Sequence, residues 1–305
     1  MQLIVTILAD DILPIFLIAL VGFILARTLA LDVRMLSRVT FNALAPCLVF
    51  NLIVTSRLGA GELGRIILFT VLLVTALGVV ARVAAIPFRL SRPDLAAFLI
   101  VVMFSNAGNY GLSVVLFAFG QDVLARAVVY FVTSALMMYS LGVVIASSGR
   151  RSVGEAARGL LKVPTMWALV AAVVVLYTGV TVPVGLSRPV ELLGSAAIPA
   201  MLLVLGMQLE RGAWPDRPGV VVMASVLALI VAPLLGFLLV HVLGLTGAAR
   251  QAVIVESAMP SAVITTILAL EFDVAPSFVT AVVVVTTVAS PVTVAVLIAL
   301  LQSGY

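Results

Sequence analysis

The residues with chemistry to offer gather in two short stretches of an otherwise apolar chain. Ser105-Asn-Ala-Gly-Asn-Tyr-Gly-Leu-Ser113 sets two asparagines, two glycines and a tyrosine in the middle of one hydrophobic run. In lipid an unpaired amide or backbone group costs several kcal/mol, so such a run is tolerated only where protein or a watery cavity covers it. The glycines permit local unwinding, and freed amides at a half-helix N-terminus make a cradle for an anion. Asn106 and Asn109, three positions apart, share a helix face. The competing reading is close helix packing through small residues, with the asparagines bonding between helices. In the second stretch, Glu256-Ser-Ala-Met-Pro-Ser261, Pro260 removes a backbone donor and breaks a helix in mid-span. Glu256 is the carboxylate placed well inside the membrane, where it would hold a cation or carry a proton. Its competing reading is a helix-end charge near an interface, since Arg250 is six residues away.

Positioning these residues falls to helices in lipid. The 305 residues are 64% hydrophobic and 10% charged, with a mean hydropathy of +1.32, where a soluble domain has roughly a quarter of its residues charged. Apolar segments of about 20 residues, each able to cross a hydrocarbon core of about 30 Å, follow one another almost without pause. They read as spans over 11–29, 36–55, 64–86, 95–119, 124–147, 164–181, 190–209, 219–243, 249–271 and 275–300. The first starts near Asp11, because an earlier start would place Asp10 and Asp11 at depth. The absence of a basic leading region argues against a cleaved signal peptide.

The longest polar connection, Ser147 to Lys162, carries Arg150, Arg151, Arg158 and Lys162 and divides the chain into 1–150 and 151–305, with five helices expected in each. Alternating the loops between two sides puts twelve Lys and Arg on one side and five (Arg57, Arg65, Arg126, Arg188 and Arg250) on the other. The positive-inside rule then makes the first side cytoplasmic and places both termini outside. The net charge of +4 is therefore a matter of topology, not of nucleic-acid binding. The lone Cys47 excludes an intramolecular disulfide.

A displacement of 153 positions lays Phe41-Asn-Ala-Leu-Ala-Pro-Cys-Leu-Val-Phe50 over Gly194-Ser-Ala-Ala-Ile-Pro-Ala-Met-Leu-Leu203, with Pro46 on Pro199. With nearly the same displacement the interrupted segment at Asn106–Gly111 lies over Glu256–Pro260. An odd number of helices per repeat threads the second copy upside down, a pattern of transporters whose interrupted helices meet at mid-membrane. Pro46 and Pro199 are expected to kink the second and seventh helices, with Asn42 and Asn51 flanking the first kink; packing explains such prolines equally well. Thr133, Ser134 and Tyr139 are placed to face the crossing point, although membrane hydroxyls usually bond their own backbone. Gln208 reads as structural, near a helix end. His241 has no second ligand in view.

Taken together these segments resemble the auxin efflux carrier family, which includes plant auxin exporters and bacterial organic-acid permeases; this chain is most similar to a bacterial member. The resemblance runs through Leu13-Pro-Ile-Phe-Leu-Ile-Ala-Leu-Val-Gly22 and Phe41–Phe50, and is strongest at Asn106-Ala-Gly-Asn-Tyr-Gly111 and Ala258-Met-Pro260. It implies an all-α membrane protein of ten helices in two inverted five-helix repeats, a fold shared with bile acid sodium symporters, with the fourth and ninth helices broken and crossing near the substrate. It also implies an elevator-like movement of one domain. The substrate-binding residues carried over are Asn106, Gly108, Asn109, Tyr110, Gly111, Ser257, Met259 and Pro260, with Asn42 and Pro46 added from the kinked second helix. Sodium symporters of this fold suggest a sodium site from Ser105, Asn106 and Glu256, with Thr133 beside them. The chain departs from the pattern in having Leu112 and Ser113 where a proline is expected, so its first break would rest on glycine alone.

The function expected is secondary transport of a small organic anion, such as a dicarboxylate or an auxin-like acid, at the cell membrane. A sodium ion or a proton is the candidate coupling ion; no other cofactor and no nucleic-acid partner is expected, membrane lipid surrounds the protein, and a homodimer is compatible with this reading. A channel-like or uniport permease is the alternative. An enzyme is not expected: paired intramembrane carboxylates, a His-Glu-x-x-His motif and a nucleophile with its base are all missing from the sequence, as is a nucleotide-binding Gly-rich loop.

Overall fold

The computed structural model describes residues 2–29, 31–56, 58–147, 163–210 and 217–303. The connection expected to divide the chain therefore lies, beyond Ser147, outside the described residues, as do Arg57 and Arg211 of the charge count.

Every element among the described residues is helical, as a lipid-exposed backbone with no water to bond requires. Among the described residues seven helices are long and apolar enough to cross a membrane: α1 (Gln2–Leu29), α2 (Val33–Thr55), α3 (Ala60–Phe88), α6 (Gln121–Ala146), α8 (Val184–Leu209), α9 (Pro218–Leu243) and α12 (Pro276–Gln302). Between them lie the shorter α7 (Pro164–Thr178) and two interrupted passages, α4 (Arg92–Met103) with α5 (Ala107–Phe119), and α10 (Gly247–Ser257) with α11 (Ile264–Phe272). The chain is a multi-pass membrane protein.

The helix ends carry their own sequence reasons. Asp32 caps α2 by accepting from the Arg34 N–H at 2.9 Å, and Ser91 caps α4 by accepting from that of Asp94 at 3.3 Å. Gly179 and Gly244 adopt positive φ just past α7 and α9, where a side chain would be strained. Extending back to Gln2, α1 carries Asp10 and Asp11 inside a π-helical turn at Leu8–Ile12, so the expected start near Asp11 is corrected. At 1.5 Å per residue its 28 residues span about 42 Å, more than a hydrocarbon core. That leaves room for both acids near a lipid headgroup layer.

Packing sorts the helices into two bundles. In one, α1 lies along the second half of α8, while α2 packs on α7 and the first half of α8. The approach is backbone on backbone: a Cβ at Gly22 would strike the Leu203 carbonyl, and one at Gly206 would strike that of Ala19. In the other bundle α6 packs on α3, α5 and α10, and α9 packs on α3, α10 and α12. An ion cluster around the buried Arg126 ties α3 to α6: Arg126 donates through Nε and Nη2 to the two oxygens of Glu62 and through Nη1 to the exposed Asp122. The Ala107–Gly111 turn of the second bundle rests against the second half of α8 in the first.

Candidate functional site

The two interrupted passages cross and hold each other open. After Met103 the backbone extends at Phe104 (φ −115°, ψ 109°) and passes through Asn106 before helix resumes. The opposing gap runs from Ala258 to Val263. Across the crossing Ser105 and Ser261 form an antiparallel bridge, with the Asn106 N–H donating to the Pro260 carbonyl at 2.7 Å and the Ala262 N–H to the Phe104 carbonyl at 2.9 Å. Ser261 adds two more ties, its hydroxyl donating to the Val101 carbonyl at 2.7 Å and its N–H to Thr286 Oγ1 at 3.2 Å. Backbone groups released by two broken helices are thus repaid by each other.

This geometry corrects the expectation that glycine alone makes the first break. The chain departs from helix at Phe104–Asn106, upstream of both glycines, and neither Gly108 nor Gly111 has positive φ. What they supply is room. A Cβ at Gly108 would meet the Phe131 ring at 2.8 Å, and one at Gly111 would collide with the Glu256 carboxylate. The π-helical turn at Ala107–Gly111 widens the backbone where these groups press against it.

On one side of the crossing lies a cavity with room for about 100 Å³ of water. Ser105, Asn106, Gly108 and Asn109 line it from the crossover, and Ser134 and Tyr139 from the second half of α6, Tyr139 within a π-helical turn at Met138–Gly142. Ser37, Phe41 and Gln208 close it from the other bundle, while Phe104, Phe131 and Ile267 give it apolar walls. Among the described residues no Lys, Arg or His lines it. Its polar atoms are incompletely paired: Asn106 Nδ2, Asn109 Oδ1 and the Ser37 hydroxyl are buried without hydrogen bonds, and Asn109 Nδ2 reaches Gln208 Oε1 only at 3.5 Å. The Ser105 hydroxyl is a fourth; buried polar groups without partners are rare, and four around one cavity point to something it receives.

The remaining candidates divide. Ser257 and Met259 border a second, water-sized space of about 10 Å³ on the other side of the crossing, which Ser105, Ser261 and Tyr130 also reach. The Ser257 hydroxyl donates to the Ile254 carbonyl at 2.6 Å, and Pro260 contributes its carbonyl to the crossing. Tyr110 is fully buried, edge-on to Phe16 of α1 at 5.8 Å, so it joins the bundles and does not line the cavity. Asn42 and Pro46 do not line this cavity. Asn42 is exposed and donates to the Arg38 carbonyl of its own helix at 2.8 Å; one position earlier, Phe41 faces the cavity instead. Pro46 opens the regular helix after a π-helical turn at Thr40–Leu44. The Thr133 hydroxyl donates to the Val129 carbonyl at 2.8 Å.

Glu256 is completely buried and neither carboxylate oxygen has a hydrogen-bond partner. The alternative of a helix-end charge is thereby set aside; Arg250 lies over the Phe237 ring at 6.0 Å. The carboxylate fills the niche left by Gly111 and lies near the Tyr130 hydroxyl, which also neighbours Ser105.

Residues 148–298 match the family model described as membrane transport protein. This stretch of the chain is similar to that family. Over 289 residues it is 26% identical to an uncharacterized transporter of Methanothermobacter thermautotrophicus, covering 92% of this chain and 94% of that one. A second uncharacterized transporter, from Methanocaldococcus jannaschii, is 27% identical over 189 residues, 59% of this chain and 60% of its own. The part of the chain matched by the membrane transport protein family holds Gln208, Glu256 and the Pro260 crossing. Sequence reasoning had set Gln208 aside as structural. The signal it carried was an amide in an otherwise apolar span, the same signal that singled out Asn106 and Asn109.

Proposed function

We propose that this membrane transport protein is a secondary transporter that carries a small organic anion through the crossing by elevator-type alternating access. The reading rests on the cavity beside two broken helices that are bonded to each other through Asn106–Pro260 and Phe104–Ala262. Its amides offer N–H groups to a carboxylate, and with no cationic side chain in the lining a single carboxylate with an apolar body suits it better than a di- or tricarboxylate. Two adjoining charges would be left in an apolar enclosure with neutral dipoles alone to balance them.

In support of two bodies, α1, α2, α7 and α8 pack mainly on one another, and α3–α6 mainly with α9–α12. In this reading the chain forms ten passages as two inverted five-helix repeats, 1–150 and 151–305, with both termini outside the cell. A buried carboxylate without partners suits one positive charge, a sodium ion or a proton, and would couple the anion's movement to it. Glu256 would hold that charge, with the Ser105 hydroxyl and Asn106 near the crossing as further oxygen donors. Thr133 is a weaker donor because its proton is spent on Val129.

The test is uptake of radiolabelled benzoate and succinate into proteoliposomes, with a sodium gradient and a proton gradient imposed separately. Benzoate uptake that saturates, exchanges with unlabelled benzoate and loses its gradient dependence in Glu256→Gln supports the reading. Flux that never saturates would replace it with a channel-like permease. Saturable uptake indifferent to both gradients would replace coupling with uniport.

A further inference from the structure

Gln208 is the polar side chain of the first bundle that touches the amides of the crossover. Its placement is rigid. Two positions earlier Gly206 presses against the Ala19 backbone, and Leu203 against Gly22, so the last turns of α8 are locked to α1 by contacts no side chain separates. From that fixed helix Gln208 reaches into the cavity, where its Oε1 accepts from Asn109 Nδ2 at 3.5 Å. The bond is as long as a hydrogen bond gets, between two neutral groups, and Asn109 keeps its own Oδ1 buried without a partner. Asn106 Nδ2, also without a partner, borders the same space.

Three carboxamides, two from the crossover and one from the facing bundle, thus surround a cavity whose lining, among the described residues, carries no formal charge. Neutral amides paired weakly to each other have a clear preference for what they would rather bond. A carboxylate accepts shorter and roughly twice as strong hydrogen bonds from the same N–H groups. Of the amide oxygens at hand, Gln208 Oε1 is already turned to Asn109, so a cation would find chiefly the Asn109 Oδ1, whereas a carboxylate can use donors from both bundles; an uncharged apolar molecule would leave all three amides as they are.

We propose that Gln208 is a substrate-contacting residue, contributed by the first bundle, whose amide makes the site select a carboxylate; this rests on the proposed function at the same cavity and adds a residue from the opposite body. In the empty protein Gln208 and Asn109 hold each other across the bundle boundary. An arriving carboxylate takes both amide donors and breaks that direct contact. Binding and release of the two bundles from each other at this point are then one event.

The experiment measures thermal stabilisation of the purified full-length protein by acetate, benzoate, succinate and citrate, for the wild type, Gln208→Glu, Gln208→Asn and Asn109→Ala. Ligands that bind the folded state stabilise it by mass action. Gln208→Glu keeps the size of the side chain and puts a like charge against the anion. It is expected to weaken the best acid's apparent affinity at least tenfold at pH 7.5. The empty variant should melt within a few degrees of wild type. Gln208→Asn keeps the amide and shortens it, and should bind the same acid with a smaller loss. Wild-type affinity in Gln208→Glu, with loss in Asn109→Ala, would overturn the proposal and leave the function standing. No response of the wild type to any of the four acids would overturn both. Should Gln208→Glu misfold, Gln208→Asn decides alone, with unchanged affinity and unchanged ranking of the acids counting against the proposal.

Discussion

Replacing Gly111 by alanine tests whether the buried carboxylate of Glu256 is held by shape. A Cβ built there falls on the carboxylate, its carbon 2.8 Å away, and Glu256 is 0% exposed. Overpacking of this kind costs about 1–3 kcal/mol in a well-packed interior. Shortening Glu256 to alanine removes the obstructing atoms and a carboxylate that lacks partners, so the space lost at one residue is regained at the other. Gly111→Ala should therefore be costly in the native background and nearly free with Glu256→Ala. That difference is a coupling of about 1–3 kcal/mol, within the range for residues in contact. The assay is a double-mutant cycle by SDS unfolding in mixed micelles, following near-ultraviolet dichroism. Additive costs, with coupling below about 0.5 kcal/mol, would show that Glu256 does not occupy the niche of Gly111.

Three further outcomes are expected. Gly206→Leu forces α8 away from the Ala19 backbone, and should lower the melting temperature more than Gly219→Leu, where a Cβ meets nothing within 4 Å; equal losses would remove the close-packed seam between α1 and α8. Arg126→Met strands Glu62 in a half-buried position and should cost about 1–3 kcal/mol, between the values for an exposed and a fully buried pair, with Glu62→Gln in the same background recovering part of it; micelle unfolding measures both. Ser261→Ala removes a donor from the Val101 carbonyl at the crossing and should cost about 1 kcal/mol, with faster amide exchange at Asn106 and Ala262 than in the native protein; unchanged exchange would mean that the bridge does not depend on that hydroxyl.

Composition and the order of apolar runs were enough to determine that this chain lives in a membrane as helices, because lipid leaves the backbone no other way to satisfy its polar groups. The interrupted passages were legible for the same reason: Asn106, Asn109, Glu256 and Pro260 are expensive in an apolar span and must have a cause. A sequence does not reveal which partner repays that expense. The first break was assigned to the glycines, whereas it lies at Phe104–Asn106 and is held by Pro260 and Ala262 from across the molecule, more than 150 residues away in sequence. The glycines answer instead to Phe131 and Glu256, contacts that exist only once two helices have been packed together. Periodicity likewise could not choose between Asn42 and Phe41, neighbours that point in different directions, until α2 had taken its rotation against α7 and α8. Gln208 shows the limit most plainly. Its neighbours in the chain are apolar and its partner Asn109 lies 99 residues away, so only the meeting of two bundles turned a solitary amide into the wall of a site.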